Sequence, residues 1–138
     1  MVIDRYDSLI EGGTPFKDKG YVFYEAWEET GLDPIYLLCH AAIESGWGNS
    51  RISKEKHNYF GIAAYDTSPY QSALTMGSGV ETGIKTGAKW IKENYYDTGK
   101  TSLALMSAGG YSTTEEWDET IADMIADCYT YITKNTLG

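Results

Sequence analysis

Apolar residues return at helical spacing along much of the chain, and the places where that spacing fails are as informative. In KGYVFYEAWEET, Val22, Phe23, Ala26 and Trp27 share one face of a predicted helix that Gly31 can stop. LDPIYLLCHAAIESG carries two start signals, Asp33 as N-cap and Pro34 at the first helical position. Its stripe is Ile35, Leu38, Cys39, Ala42 and Ile43, and Gly46 can take a left-handed cap. From Asn49 to Met76 the periodicity disappears, so this stretch reads as a long irregular segment or a short β-hairpin, and such segments are usually functional. Helical order returns in VETGIKTGAKWIKENYY with Val80, Ile84, Ala88 and Ile91 on one face. Gly83 and Gly87 weaken that helix, which implies that another element packs closely on it. A short SLALMSA helix and a GGYS turn follow. In the last helix Thr113 and Glu116 form a capping-box pattern ahead of the face Trp117, Ile121, Met124, Ile125, Cys128 and Ile132. The expected architecture is one mainly α domain over residues 1–138.

Composition narrows the partners. A net charge of −9 lacks the basic face that nucleic acid requires, and it disfavours anionic membrane surfaces equally. No run approaches the roughly 18 apolar residues of a membrane span. MVIDRYDSLIEGG has neither the basic start nor the apolar stretch of a secretory signal. Action outside the cytoplasm would therefore require delivery by a larger parent chain or a lysis system. Cys39 and Cys128 read as buried free thiols on apolar helix faces, and with two histidines and no CxxC pattern neither a metal site nor a cofactor is expected. Aromatics make 14% of the chain, which suits both a packed core and a cleft that stacks on sugar rings.

The chemistry concentrates in AAIESGWGNS. Glu44 ends an apolar helix, where unsatisfied carbonyls and the negative end of the helix dipole disfavour its ionised form. Burial beside Trp47 would push the same way. A raised pKa lets a carboxylic acid hold a proton near neutral pH and pass it to a leaving oxygen. Gly-Trp-Gly can then bend the backbone away and leave the acid at the lip of a cleft. Against this stands the plainer reading of a solvated helix-end glutamate.

The ordered motifs carry a resemblance. LLCHAAIESGWGNSRISKEKHNYFGIAAYDTSPY resembles the signature region of bacterial and phage glucosaminidase domains, glycoside hydrolase family 73. Ala-x-x-Glu-Ser-Gly-Trp-Gly is followed by Asn-x-Phe-Gly-Ile, Ala-Tyr-Asp, a Gly-Ala-Lys helix and a closing Tyr-x-x-x-x-x-Trp, spanning about Tyr21 to Ile132. The resemblance implies a lysozyme-like helical fold with a substrate cleft, and hydrolysis of peptidoglycan at the β-1,4 bond on the reducing side of N-acetylglucosamine. Glu44 matches the family's general acid, and Tyr111 matches a tyrosine that helps organise the reacting centre. Tyr65 and Asp66 match the Ala-Tyr-Asp motif, and Asn58, Tyr59, Phe60 and Gly61 match the segment that shapes the cleft. Trp47 and Tyr59 can stack on sugars or close the core. His40, one helical turn before Glu44, can reach a hydrogen bond near it, and His57 reads as a surface residue.

A glycosidase ordinarily uses two carboxyl groups, about 5 Å apart for a nucleophile or about 6.5–9.5 Å apart to admit a water. Asp66 and Glu81 are the candidates for the second. Asp66 also fits a turn tied through its own side chain, and Glu81 fits better as a helix-start residue. The substrate's own N-acetyl oxygen is a third route, with Tyr111 orienting it. Two further readings stand beside the glucosaminidase: a muramidase or lytic transglycosylase of the lysozyme superfamily, and a wall-glycan binding module without turnover. The expected partner is the peptidoglycan glycan strand, met in the bacterial cell wall by a monomer. Since many walls are themselves anionic, a separate wall-binding domain or a phage particle is expected to hold the domain there.

Overall fold

A computed structural model describes residues 7–10, 12–63, 73–112 and 116–137, the last six of these as backbone only. Helix α1 (Gly20–Thr30) buries Val22, Phe23, Ala26 and Thr30 and stops at Gly31, whose φ of 78° is left-handed and whose N–H closes on the Trp27 carbonyl. Trp27 departs from the expected stripe: it is exposed and stands edge-on to Tyr24, because it falls beside rather than on the face that Val22, Ala26 and Thr30 define. Helix α2 (Pro34–Ser45) begins as its local signals require, with Asp33 accepting from the Ile35 and Tyr36 amides at 2.7 and 3.0 Å. It is almost wholly buried, which makes it the axis of the molecule.

The segment read as irregular contains a helix. Ser50 accepts from the Ser53 amide and opens α3 (Arg51–Lys56), six residues whose composition shows no apolar stripe and so leaves no periodic signal. No strand is present among the described residues, so the hairpin alternative is not seen there. Thr113 and residues 64–72, with Tyr65 and Asp66, lie outside the described residues.

Helix α4 (Val80–Asn94) buries Ile84, Ala88 and Ile91 and packs on α1. Its two glycines are where the loop after α3 comes closest. A Cβ on Gly83 would strike the His57 carbonyl, and one on Gly87 would lie 2.5 Å from the Phe60 ring. A 3₁₀ turn (Tyr96–Thr98) leads to α5 (Leu103–Ala108), capped by Ser102, and to α6 (Trp117–Leu137). Helix α6 lies along α2, with Trp117, Ile121 and Cys128 buried. Cys39 and Cys128 are both buried free thiols, their sulfurs 3.7 Å apart across that interface. The buried apolar residues of α1, α2, α4, α5 and α6 form one continuous core.

Candidate active site

Three elements meet at the C-terminal end of α2. The first is the helix end itself. Gly46, Trp47 and Gly48 have φ of 56°, 59° and 84°, so three successive left-handed residues turn the chain sharply away behind Glu44. Ser45 holds this turn, accepting from the Gly48 amide at 2.9 Å and donating to the Ala41 carbonyl. The Trp47 ring stands edge-on to Phe16, 6.5 Å between centroids, and is half-buried.

The second element is the loop 58–62. Asn58 is buried and spends its side chain on backbone: Nδ2 donates to the Ile62 and Leu74 carbonyls at 2.8 and 2.9 Å, and Oδ1 accepts from the Ile62 amide at 3.0 Å. Tyr59 and Phe60 are buried as well. These three side chains are buried and shape the wall of the site from within. The loop delivers Gly61, with φ of 65°, so close to Glu44 that a Cβ there would collide with Oε2.

The third element is the pair Tyr111 and Trp117. Their rings stack at 5.0 Å and 19°. The Tyr111 hydroxyl donates to the Phe60 carbonyl at 2.8 Å and so pins the loop next to Gly61. Trp117, the first residue of α6, donates from Nε1 to Glu44 Oε1 at 2.6 Å. The indole that hydrogen-bonds the acid is thus Trp117, 73 positions along the chain, whereas the sequence pointed to the neighbour Trp47. The one available signal was the Tyr111-to-Trp117 spacing of the closing motif.

Electrostatics follow from this packing. Burial raises the Glu44 pKa, and the Trp117 hydrogen bond, which favours the carboxylate, opposes that shift without cancelling it. Among the described residues, no second carboxylate contributes to the shift. Glu81 is engaged elsewhere: it opens α4 on the surface, 3.1 Å from Lys85 and 3.4 Å from the Tyr21 hydroxyl, and Lys85 also pairs with Glu25 at 2.7 Å. His40 makes no hydrogen bond to Glu44. It is fully buried, its Nδ1 lies 2.8 Å from the Tyr36 hydroxyl, and burial pushes its pKa down to about 3. His57 caps α3 in a left-handed conformation, half-buried, with Nδ1 3.0 Å from the Gly77 carbonyl. No group of three or more metal-ligating side chains occurs among the described residues.

Glu44 is therefore a half-buried acid with a raised pKa, gripped at one oxygen by an indole and faced at the other by a bare glycine backbone. Such a group can hold a proton and give it to a leaving oxygen brought within hydrogen-bond reach.

Comparison with known proteins places the chain among relatives of one family. The family model Glucosaminidase, described as mannosyl-glycoprotein endo-beta-N-acetylglucosaminidase, matches residues 20–130. A Streptococcus pneumoniae protein assigned as an endo-beta-N-acetylglucosaminidase is 43% identical over 127 residues, 89% of this chain and 19% of that protein. The bifunctional autolysin of Staphylococcus aureus is 27% identical over 154 residues, 92% of this chain and 12% of that protein. The chain thus spans less than a fifth of the length of these curated relatives. Among solved structures, S. aureus autolysin E in complex with the muropeptide NAM-L-Ala-D-iGlu superposes with a TM-score of 0.80 at 26% identity, covering 96% of this chain and 68% of that one. A catalytic mutant of the same autolysin, in complex with the disaccharide NAG-NAM, matches equally well.

Proposed function

The chain belongs to the glucosaminidase family, and from that premise we propose that it is a peptidoglycan hydrolase that cuts the β-1,4 bond on the reducing side of N-acetylglucosamine, with Glu44 as general acid. The observation that carries this reading is the grip on Glu44. Its raised pKa keeps a proton available, and the Trp117 hydrogen bond fixes the carboxyl plane while Oε2 lies against Gly61. Proton transfer to the glycosidic oxygen then assists departure of the leaving sugar. Tyr111 acts through the loop, because its hydrogen bond to the Phe60 carbonyl holds the wall from which Gly61 meets the acid. With Glu81 paired to Lys85 on the surface, the group that meets the developing positive charge is Asp66 or the substrate's own N-acetyl oxygen.

The net charge of −9 supports a second element of the reading. An anionic domain gains nothing from the field of an anionic wall, so a separate wall-binding domain or a phage particle supplies the targeting. Strong co-sedimentation of the isolated domain with walls at low salt would remove that inference.

The test of the activity is digestion of purified peptidoglycan, borohydride reduction of the products and mass spectrometry. Reduced N-acetylglucosamine ends establish the proposed cleavage. Reduced or anhydro muramic ends would instead assign a muramidase or transglycosylase on the same fold, and glycan binding without new reducing ends would assign a binding module.

A further inference from the structure

The mechanism above leaves a buried histidine unused. His40 lies in α2, one turn before Glu44, with no solvent exposure, and its Nε2 has no hydrogen-bond partner among the described residues. Its ring stands edge-on to three others: Tyr111 at 4.9 Å, Trp117 at 5.2 Å and Phe60 at 5.2 Å between centroids. These are the stacked pair behind the acid and the residue whose carbonyl Tyr111 holds. A leucine or phenylalanine would fill such a site without carrying polar atoms into it, so the polar atoms need an account.

Nδ1 of His40 and the Tyr36 hydroxyl share a hydrogen bond at 2.8 Å, which ties the imidazole to its own helix. Tyr36 touches Met106 of α5 on its other side, 3.8 Å from hydroxyl to sulfur. The ring is thus fixed at one end by a hydrogen bond within α2 and at the other by the aromatic cluster. The ionisable groups around it are Tyr36 of its own helix and Tyr111 from the segment after α5, and burial raises the pKa of both. Both feel the charge of Glu44 beyond them.

We propose that His40 is a positioning residue of the site: anchored by Tyr36, it wedges edge-on against Tyr111 and Trp117 and fixes the angle at which the Trp117 indole meets Glu44. The assignment rests on the reading of Glu44 as general acid. Rotation of the indole by a fraction of a ring width would break the 2.6 Å contact and free the carboxyl to turn.

The test reads Trp117 directly. In ¹⁵N-labelled protein the Trp117 indole N–H resonance, identified by its loss in Trp117→Phe, is followed as a function of pH. It is expected to shift with a midpoint above the ordinary glutamate range, as Glu44 titrates. In His40→Phe, which keeps a flat ring but removes both nitrogens, the resonance and its midpoint are expected to move. The kcat should fall by about 10- to 100-fold with KM nearly unchanged, the signature of a misplaced catalytic group. Tyr36→Phe removes only the anchoring hydroxyl and should move both readouts in the same direction by less. Where His40→Phe does not fold, Tyr36→Phe decides. A folded variant with the indole resonance, its midpoint and kcat all unchanged overturns the proposal. Failure of the general-acid reading is distinguishable, since it shows as full activity in Glu44→Gln and leaves the indole measurement intact.

Discussion

Trp117 Nε1 and Glu44 Oε1 meet at 2.6 Å, joining the first residue of α6 to the last turn of α2. The donor favours the ionised carboxyl, so it works against the burial that raises the Glu44 pKa. Trp117→Phe removes the donor and keeps an aromatic ring in the stack. The Glu44 pKa then rises further, and the alkaline limb of the pH–activity profile, where the acid loses its proton, moves to higher pH. The kcat at the optimum should fall about 10-fold because the carboxyl plane is no longer fixed. A profile measured on soluble glycan fragments checks both signs, and a limb that moves to lower pH contradicts the role given to the indole.

Glu44 also affects stability. Its folded-state pKa lies above the ordinary 4.5 because burial penalises the charge. Below the ordinary value both folded and unfolded states hold the proton and the full stability is present. As pH rises from there toward the raised folded pKa, the unfolded state releases its proton first and stability is lost. Glu44→Gln removes this cost and keeps an acceptor for Trp117. The variant should be inactive in reducing-end release, yet melt at or above the wild-type temperature at about pH 7, with the difference closing near about pH 4. Calorimetry at the two pH values is the check.

What the sequence disclosed depended on how local each cause is. Helix α2 was legible end to end because Asp33, Pro34 and Gly46 act within one turn of their own positions. Gly83 and Gly87 announced that something packs on α4, without saying that it is the His57 backbone and the Phe60 ring. Helix α3 was missed because six residues held by the Ser50 cap carry no periodic apolar signal. Glu44 could be picked out from its helix-end position, but nothing in local pattern joins it to Trp117 across 73 residues, and the closing Tyr111-to-Trp117 spacing marks the tryptophan without naming its partner. Trp117 read as one more member of the apolar face of α6, which it also is.

Gly61 has two reasons to be glycine, a φ of 65° and the lack of room for a Cβ beside Glu44 Oε2. The colliding atom is the end of a flexible side chain, so Gly61→Ala should fold with the carboxyl pushed off Trp117. Stability should drop by about 1 kcal/mol from the left-handed backbone. Activity should drop by about 100-fold, well beyond what that instability explains. Kinetics and thermal melts on the same preparation separate the two effects.

Glu81 bonds Lys85 and Tyr21 in an exposed cluster at the start of α4. Exposed pairs of this kind contribute little. Glu81→Gln should therefore keep kcat/KM within about twofold and leave Tm nearly unchanged. A loss comparable to that of Glu44→Gln would return Glu81 to the catalytic candidates.

Gly83 and Gly87 separate packing from chemistry along one helix. Alanine at either position gains up to about 1 kcal/mol of helix propensity, set against about 1–3 kcal/mol for overpacking. At Gly83 the new methyl meets a backbone carbonyl, that of His57, along with the Tyr59 ring at 2.7 Å, and neither can swing aside. Gly83→Ala should therefore lose stability outright. At Gly87 the methyl collides with the Phe60 ring, at 2.5 Å, and otherwise makes ordinary contact with Ile62. Phe60 can move only by shifting the loop whose carbonyl Tyr111 holds and whose Gly61 faces the acid. Gly87→Ala should thus cost less in Tm than Gly83→Ala and more in kcat per degree lost. If the two variants lose activity only in proportion to their melting temperatures, the loop wall is scaffold alone and the alignment of Glu44 does not depend on it.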